Sequence, residues 1–501
     1  MATRVEKYQS SVQAALTLAK EHDLYAIVRV QDNIGLEVSI LNGKTQSKRK
    51  TQLQGMGISV FSEDGTTAFG WTDDPTVENT ETLIRTLNGA VRASQMLEVQ
   101  KNTAIFEVPP FQVIDLPNLK YPVEEQNLTR LEDALRGGHL GVCKLNPDLS
   151  VTSSFSQSDD QWWISRSDGT SVIYSMPISN VRHSMTMGDS KNKAMTNLKL
   201  SGVDAEFLMN PATTERELWH KVSVSYALLG KLFSAGQLPE GEYQGLLDPG
   251  IAGIYVHEAV GHPIESDNGP FSIFADKKLG TFGLGNRVAQ PNIDVIDGPV
   301  EGMWGDVRYS ANGVQRKTVV VIEKGILVNS ISDVFSAARA GTPINGAGRA
   351  QYFNSVPIPR MSNTRIIDRD AVDADIHPPY ASVEELYSLL EDLGVLSNGK
   401  QVVMPVQCGG GSVLPTEGTF MFGCNGIYRF SSEQGIELFG ASNFSGNTQA
   451  ALLTPMRGIG KLHLNNAGWC GKEGQSASVG CGSHAYVLID ANPGKIIYGG
   501  K

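Results

Sequence analysis

The sequence has few cysteines, no long apolar run and no excess of positive charge. Its five cysteines in 501 residues include no Cys-x-x-Cys pair and are too sparse for a secreted disulfide scaffold. We therefore expect free thiols, one of which could serve as a metal ligand. No stretch approaches the roughly 18 uninterrupted apolar residues of a membrane-spanning helix, and the amino terminus lacks a signal-peptide core. These absences predict a cytoplasmic protein with no membrane partner.

The charge balance argues against nucleic acid as a partner. The formal net charge is -11, and an acidic chain repels a phosphate backbone unless its basic residues cluster. One basic run occupies residues 44–50, directly after the alternating apolar residues Leu36, Val38 and Ile40. That position favours a solvated strand or turn over a binding patch.

The length predicts more than one domain. Single hydrophobic cores stop growing at about 250–300 residues, and this chain of 501 residues is 41% hydrophobic and 19% charged, a globular composition. The Pro/Gly-rich segment 238–249 is the best boundary. We therefore predict an amino-terminal domain over residues 1–235, with sub-units at about 1–105 and 110–235, and a carboxyl-terminal domain over residues 236–501.

The amino-terminal half shows the pattern of an α+β domain, a helix-flanked antiparallel sheet. After an amphipathic opening helix, β-branched runs and tight-turn residues predict an antiparallel meander over residues 23–72. Helical spacing returns over residues 76–101. A hairpin is predicted around residues 166–170, and a helix over about 212–234.

The carboxyl-terminal half is predicted to be β-rich. An apolar helix opens it and carries two histidines. Its clearest helix covers residues 382–393, where Ser382 and Glu385 form a capping box. From residue 401 to the end, glycine is frequent and strands are short, as in a barrel or a sandwich.

One segment has the composition of a catalytic or metal-binding site, because two imidazoles and three carboxylates fall within eleven residues. They belong to His257, Glu258, His262, Glu265 and Asp267. Neutral imidazole is a good zinc ligand. A glutamate beside the first histidine is the group that metallopeptidases use to deprotonate a metal-bound water. The segment therefore predicts a zinc site with Glu258 as the base.

The spacing of the histidines is unusual, because they are five residues apart instead of four. On a regular α-helix at 3.6 residues per turn, the two side chains diverge by about 140°. Both can face one ion only if the helix widens into a π-type turn or breaks, which Gly261 and Pro263 favour. The alternative is a helix end with two ordinary hydrogen-bonding histidines. Glu265, three residues past His262, could orient it as a carboxylate partner.

A catalytic zinc needs a third protein ligand, with the fourth position left for water. Spacing alone does not choose that ligand. The chemically suitable candidates are Cys408, Cys424, Cys470, Cys481, His463, His484, Glu265 and Asp267.

Three motifs together resemble the TldD/PmbA family, the so-called modulators of DNA gyrase. They are the string from His257 to Asp267, the string Pro-Arg-Met-Ser-Asn-Thr at residues 359–364, and Cys-Gly-Lys-Glu-Gly-Gln at residues 470–475, followed by Val479 and Gly480. They occur in the family's order, and the similarity runs from the first meander to the carboxyl terminus. This chain keeps the histidines that TldE or PmbA subunits lack, so it resembles the TldD-type subunit.

The resemblance implies zinc held by His257, His262 and Cys470, with Glu258 as the general base. It also implies short or unfolded peptides as substrates, and a dimer of this chain with itself or with a TldE/PmbA-type homologue. This chain departs from the family pattern around Val479 and Gly480, where the family usually has a proline before the valine and a Gln-Pro pair after the glycine. Here Cys481 follows Gly480. Cys481 therefore stays open as a competing sulfur ligand.

The expected function is that of a zinc metallopeptidase. The alternative is a non-catalytic protein that binds a peptide or a partner and uses zinc as a structural clip, closed by a fourth ligand such as Cys481. Arg360, Ser362 and Asn363 suit either hydrogen bonding to an extended peptide or a structural loop beside the site.

Overall fold

The computed structural model describes residues 3–95, 97, 101–188, 193–210, 215–239, 241–378 and 381–499. The first half of the chain forms one sheet with helices packed on it. Its elements are α1 (Gln9–Glu21), β1 (Tyr25–Leu41), β2 (Lys44–Phe61), β3 (Thr67–Thr72), α2 (Val77–Ser94), β4 (Gln112–Asp115), α3 (Leu128–Cys143), β5 (Ser150–Arg166), β6 (Ser171–Gly188), β7 (Lys193–Gly202), α4 (Glu206–Met209) and α5 (Glu215–Leu232).

This first sheet has the strand order β3-β2-β1-β5-β6-β4, with β7 paired to β6. The meander predicted over residues 23–72 is confirmed as β1, β2 and β3, and the hairpin around residues 166–170 joins β5 to β6. The basic run lies on the exposed first part of β2. Because β1 pairs with β5 along its length, both predicted sub-units contribute strands to the same sheet.

The helices of this half are slightly shorter than predicted. Thr76 caps α2, whose last residue is Ser94, and part of the remaining predicted stretch lies outside the described residues. The helix predicted over residues 212–234 is α5, and residues 211–214 lie outside the described residues. Apolar faces of α1 and α2 pack on β1 and β2, while α3 packs on the far half of β1.

The second half builds a larger sheet. Its elements are β8 (Gln244–Leu247), α6 (Pro249–Val256), β9 (Ala275–Asp276), β10 (Thr281–Phe282), β11 (Ile293–Gly298), β12 (Val319–Glu323), β13 (Ile326–Leu327), α7 (Ala337–Ala340), β14 (Gly348–Arg349), β15 (Ile358–Pro359), β16 (Asn363–Asp368), α8 (Val383–Asp392), β17 (Gln401–Leu414), β18 (Thr419–Ser431), β19 (Gly435–Phe439), β20 (Ser442–Asn447), α9 (Thr448–Leu453), β21 (Met456–Lys472), β22 (Gln475–Ile489) and β23 (Ile496–Tyr498).

The path of this sheet runs β13-β12-β11-β16-β22-β8-β17-β18-β20-β23, with β19 on β18 and β21 on β22. The α+β class is confirmed, and the predicted helix over residues 382–393 is α8, with its capping box. Over the described residues the path has two ends, so the sheet is open and not a closed barrel. Its end strands, β13 and β23, have two and three residues and do not pair with each other.

Two of the five cysteines are not free thiols. Cys408 on β17 and Cys424 on β18 are register partners in an antiparallel pair, and a disulfide joins them. The prediction of free thiols is wrong for these two, because strand pairing brings together residues that are sixteen positions apart. Cys143, Cys470 and Cys481 are free.

The helices of the described residues give no candidate for a membrane span, since none combines the required length with sufficient hydropathy.

Candidate metal centre

Helix α6 carries the histidine motif into the core of the second half. Asp248 caps it by accepting the Ile251 N–H at 2.8 Å, and Pro249 occupies its first turn. The helix is apolar all round, as expected for a buried helix, and packs against β16, β17, β21 and β22. Sequence and packing therefore place its carboxyl end, where the histidines begin, inside the protein.

At that end the helix widens into a π-helical turn over His257–Gly261. The N–H of His262 donates to the carbonyl of His257 at 3.2 Å, the hydrogen bond between residues five apart that defines this geometry. The two imidazoles stand nearly perpendicular with ring centroids 5.1 Å apart. The predicted widening is confirmed. Gly261 is needed there, because a Cβ would lie 1.8 Å from the sulfur of Met361.

The third member of the cluster comes from β21, some 200 residues later in the chain. The Sγ of Cys470 lies 3.2 Å from Nε2 of His262. The ligand atoms of His257, His262 and Cys470 all lie within 4.8 Å of one another, and all three residues are buried. Among the described residues this is the one group of three or more potential metal-binding side chains found this close together.

The competing ligand candidates lie elsewhere or have other partners. Cys408 and Cys424 are joined to each other. His484 accepts the N–H of Asp368 at 3.0 Å and lies 2.8 Å from the carbonyl of Gly460. Cys481 packs against the middle of α6, where a Cβ on Gly253 would lie 2.3 Å from its sulfur. Cys481 and His463 are not part of the cluster.

Glu265 lies behind His262, fully buried. Its Oε2 is 3.0 Å from Nδ1 of His262 and 3.0 Å from Nζ of Lys472, and its Oε1 is 3.6 Å from Nε of Arg360. Burial alone would raise the pKa of this carboxyl, but Lys472, His262 and Arg360 hold it below its ordinary value. A carboxylate on Nδ1 fixes the ring and leaves Nε2 facing Cys470.

The charges of the cluster favour a thiolate. Burial would raise the pKa of Cys470, but the neighbouring imidazoles of His257 and His262 lower it well below its ordinary value. Burial would lower the pKa of His262, but Glu265 and Cys470 raise it. The thiolate is the form that binds metals, and a metal entering the site would displace the proton of His262.

Glu258 stands on the open side of the cluster. Its side chain is 12% exposed, and Oε2 lies 3.9 Å from Nε2 of His262. Burial raises the pKa of Glu258, with His257 and His262 acting in the opposite direction. Gly411 of β17 makes room for it, because a Cβ there would lie 3.1 Å from Cγ of Glu258 and 2.3 Å from the Phe422 ring.

A cleft of about 500 Å³ leads to these side chains. One wall is the glycine-rich part of β17 from Gly410 to Val413, and the other is the end of β21 around Trp469. Trp469 is 58% exposed. The cleft therefore joins solvent to Glu258, His257, His262 and Cys470.

Comparison with known proteins supports the motif resemblance. Residues 240–474 match the family model described as the PmbA/TldA metallopeptidase C-terminal domain. A metalloprotease of Methanocaldococcus jannaschii is 34% identical over 259 residues, which cover 50% of this chain and 51% of that protein. A zinc metalloprotease TldD homolog of Saccharolobus solfataricus is 30% identical over 251 residues, 49% of this chain and 50% of that protein. The chain spans about half the length of these relatives.

The fold agrees over nearly the whole chain. TldE from Thermococcus kodakarensis superimposes with a TM-score of 0.71 at 13% sequence identity, covering 97% of this chain and 99% of that one. The carboxyl-terminal half of the chain therefore carries a PmbA/TldA-type domain, and the chain as a whole has the fold of TldE.

The Pro-Arg-Met-Ser-Asn-Thr string at residues 359–364 has a structural role. Arg360, Ser362 and Asn363 are each at most 1% exposed. Arg360 donates to the carbonyl of Cys470 at 2.6 Å, Ser362 donates to the carbonyl of Gly305, and Asn363 donates to that of Gly298 at 3.2 Å. The structure favours the loop alternative over contact with an extended peptide.

Sequence reasoning missed Lys472, which holds the carboxylates together. Its Nζ lies 3.0 Å from Glu265 and 2.6 Å from Asp267. Residues two apart in a strand share a face, so Lys472 could have been placed on the face of Cys470 once Cys470 was chosen. The support from Arg360 had no such signal, because Arg360 reaches the cluster from the connection between β15 and β16, far from Cys470 in sequence.

Proposed function

We propose that this protein is a zinc-dependent metallopeptidase of the TldD type that hydrolyses short or unfolded peptides. The observation that carries the proposal is the convergence of two imidazoles and one thiol at the base of a cleft, with Glu258 beside them. The relative from Saccharolobus solfataricus, named as a zinc metalloprotease, supports the same metal.

The residues present suit zinc. Two histidine nitrogens and one thiolate form a donor set typical of that metal, with a position left open. Nδ1 of His257 is buried with no hydrogen-bond partner among the described residues, and such an orphaned polar atom is costly unless something satisfies it. His257, His262 and Cys470 would hold the ion, and Glu265 would fix the His262 ring.

Zinc bound there would supply a Lewis acid for a carbonyl oxygen and for a water molecule. The protein's own part is proton transfer. Glu258, on the cleft side of the cluster, accepts a proton from water and later gives it to the leaving amine. Its raised pKa makes it a stronger base than a solvated glutamate. The buried Glu265 takes no proton, because its neighbouring cations keep it ionised.

The alternative function, a binding protein with a structural zinc clip, requires a fourth protein ligand. Cys481 was the best candidate for it. Burial raises the pKa of Cys481 to about 12, and the side chain lies against Gly253 instead of the cluster. These features favour the peptidase over the closed structural site.

The substrate and assembly are part of the proposal. The cluster lies at the base of a cleft that a folded domain would not enter, which suits extended peptides. An enclosed dimer would restrict access further, either of this chain with itself or with a TldE/PmbA-type homologue, whose fold it shares. We propose a cytoplasmic protein with neither nucleic acid nor membrane as a partner.

Metal analysis and peptide cleavage test the function together. Protein purified without added metal should contain about one zinc per chain, and a chelator should abolish cleavage that zinc then restores. Iron in place of zinc, or cleavage that a chelator leaves unchanged, would contradict the mechanism. Zinc without cleavage of any unfolded peptide would favour the binding alternative.

Selectivity and assembly need separate measurements. Light scattering should give the mass of a dimer, alone or after addition of a TldE/PmbA-type homologue. Paired digests of one substrate, native and unfolded, should show cleavage of the unfolded form only. An active monomer that cuts both forms equally would mean that the site is open.

A further inference from the structure

A second pocket lies in the amino-terminal half, remote in sequence from the metal cluster. It has a volume of about 530 Å³ and lies among α3, β6, β7, α4 and α5. Ligand sites for small molecules typically enclose about 300–1,000 Å³. Most of its walls are apolar, including Leu135, Val181, Leu200, Phe207, Met209 and Trp219.

The buried polar residue of this pocket is His183, whereas the charged residues of its lining, Arg130 and Asp133, are exposed. The residue is 2% exposed and lines the pocket. Its Nδ1 lies 2.6 Å from the hydroxyl of Ser153, which lies 2.8 Å from Nδ1 of His139. Within the described part of the chain, Nε2 of His183 has no hydrogen-bond partner.

The hydrogen bonds determine where the protons lie. Burial lowers the pKa of His139, and burial with the neighbouring His139 lowers that of His183 to about 4, so both rings are neutral at pH 7. Nε2 of His139 accepts the N–H of Gly43 at 2.8 Å, and the thiol of Cys143 lies 3.4 Å away. Nδ1 of His139 therefore carries its proton and donates to Ser153.

The same reasoning continues to the pocket. Since Ser153 accepts from His139, its own hydroxyl proton is free to donate to Nδ1 of His183. A neutral His183 whose Nδ1 accepts a proton must carry its hydrogen on Nε2. The serine-bridged histidine pair, His139-Ser153-His183, thus presents one fixed N–H donor at the floor of an apolar pocket.

Helix α3 keeps the space above this donor open. Gly137 and Gly138 are consecutive glycines inside the helix, where glycine is disfavoured, and both line the pocket. A Cβ on Gly138 would lie 3.5 Å from Cε1 and 3.6 Å from Nε2 of His183, while a Cβ on Gly137 would meet nothing within 4 Å. Any larger side chain at position 138 would cover the ring edge that carries the donor.

We propose that this pocket binds a small apolar molecule that ends in a hydrogen-bond acceptor, such as an acyl chain with an amide or carboxylate head. The chain packs on the apolar walls, and the head accepts the N–H of His183. Burying that donor beside a ligand without an acceptor leaves it unsatisfied. The inference does not rest on the proposed peptidase activity.

Three eight-carbon probes test the proposal on the full-length wild-type protein: octanamide, octanoate and octylammonium, which has donors only. Titrations with ¹⁵N-histidine NMR should find His183 as the Nε2–H tautomer and show that its Nε2 signal moves with octanamide, octanoate or both. Octylammonium should bind about tenfold more weakly. Preference between the first two probes separates a neutral carbonyl ligand from a carboxylate.

Several outcomes would overturn the proposal: equal binding of all three probes, binding that leaves the His183 signal unmoved, the opposite tautomer, or no binding of either acceptor probe at millimolar concentration. A blocking variant provides a second readout. Gly138→Leu should weaken binding more than tenfold, whereas Gly89→Leu, at a helix position with open space, should bind like wild type. Unchanged binding in Gly138→Leu would place the probe elsewhere.

Discussion

Two pairs of buried histidines lie in this molecule, one in each half, and they behave in opposite ways. His257 and His262 meet on a π-helical turn beside Cys470 and Glu265. His139 and His183 meet across Ser153 between α3 and β6. Both pairs are buried, yet the pKa of His262 is raised while the pKa of His183 is lowered to about 4.

The difference between these two pKa values comes from the groups that contact each imidazole and not from burial. Burial by itself disfavours a charged imidazole, which is what the serine-bridged histidine pair shows, because a hydroxyl supplies no compensating charge. In the candidate metal centre the carboxylate of Glu265 and the thiolate of Cys470 outweigh burial and raise the pKa of His262. A buried histidine next to anionic ligands is ready to exchange its proton for a metal ion, whereas one next to a serine serves as a fixed hydrogen-bonding group.

The largest expected effect concerns Glu258, which distinguishes a catalytic cluster from a merely metal-binding one. Glu258→Gln should keep zinc and lower the rate of peptide hydrolysis by about 10²–10⁴-fold, because the amide keeps the shape but cannot accept a proton. Zinc content and kcat on an unfolded peptide are the measurements. The exposed Glu433→Gln is the matched control. Turnover near wild type would remove Glu258 from the mechanism.

The second-largest expected effect concerns the proposed sulfur ligand, Cys470. Cys470→Ser should weaken zinc binding by more than about 100-fold, because it removes a thiolate whose charge the site is built to stabilise. Cys481→Ser is the control with the same chemistry, and it should keep the metal because its sulfur packs against α6. Competition with a chromogenic chelator gives both affinities. The reverse pattern would mean that Cys481 is the ligand.

Removing the carboxylate behind His262 should have a smaller effect. Glu265→Gln keeps a hydrogen-bond acceptor but loses the charge that raises the pKa of His262, and loss of such a partner typically costs about 10–100-fold in metal affinity. The same chelator competition measures it, with Glu433→Gln as the control. Wild-type affinity in Glu265→Gln would show that Glu265 only neutralises Lys472 and Arg360.

The smallest expected effect is the change of stability with pH that arises from the serine-bridged histidine pair. The direction of this change follows from the lowered pKa of His183. The unfolded chain takes up a proton on His183 below about pH 6.5, whereas the folded protein resists it down to about pH 4. Stability present at pH 7 is therefore lost as the pH falls through this window, by about 2 kcal/mol between pH 7 and 5. Urea unfolding at both pH values measures it.

His183→Gln should remove this part of the acid sensitivity, while His22→Gln should leave it unchanged. If wild type and His183→Gln lost stability equally between pH 7 and 5, the burial of a neutral His183 would be contradicted.

Much of the fold was predictable because its signals are local. The meander of β1 to β3, the hairpin between β5 and β6 and the capped helix α8 depend on turn residues, alternation and a capping box that lie within a few residues of one another. The disulfide between Cys408 and Cys424 was not predictable in this way. It depends on the register of β17 against β18, which spacing does not reveal.

The sequence by itself determined the histidine pair, the glutamate beside it and the need for a widened or broken turn if both rings are to face one ion, because side chains five residues apart on a regular α-helix diverge by about 140°. Only the tertiary structure brought Cys470 to that turn, kept Cys481 away from it and placed Lys472 and Arg360 around Glu265. The meeting of His257, His262 and Cys470 required β21, β22 and α6 to be packed in one arrangement, and such packing depends on contacts between residues far apart in the chain. The serine-bridged histidine pair likewise depends on tertiary structure, because its hydrogen bonds form only where α3 meets the sheet.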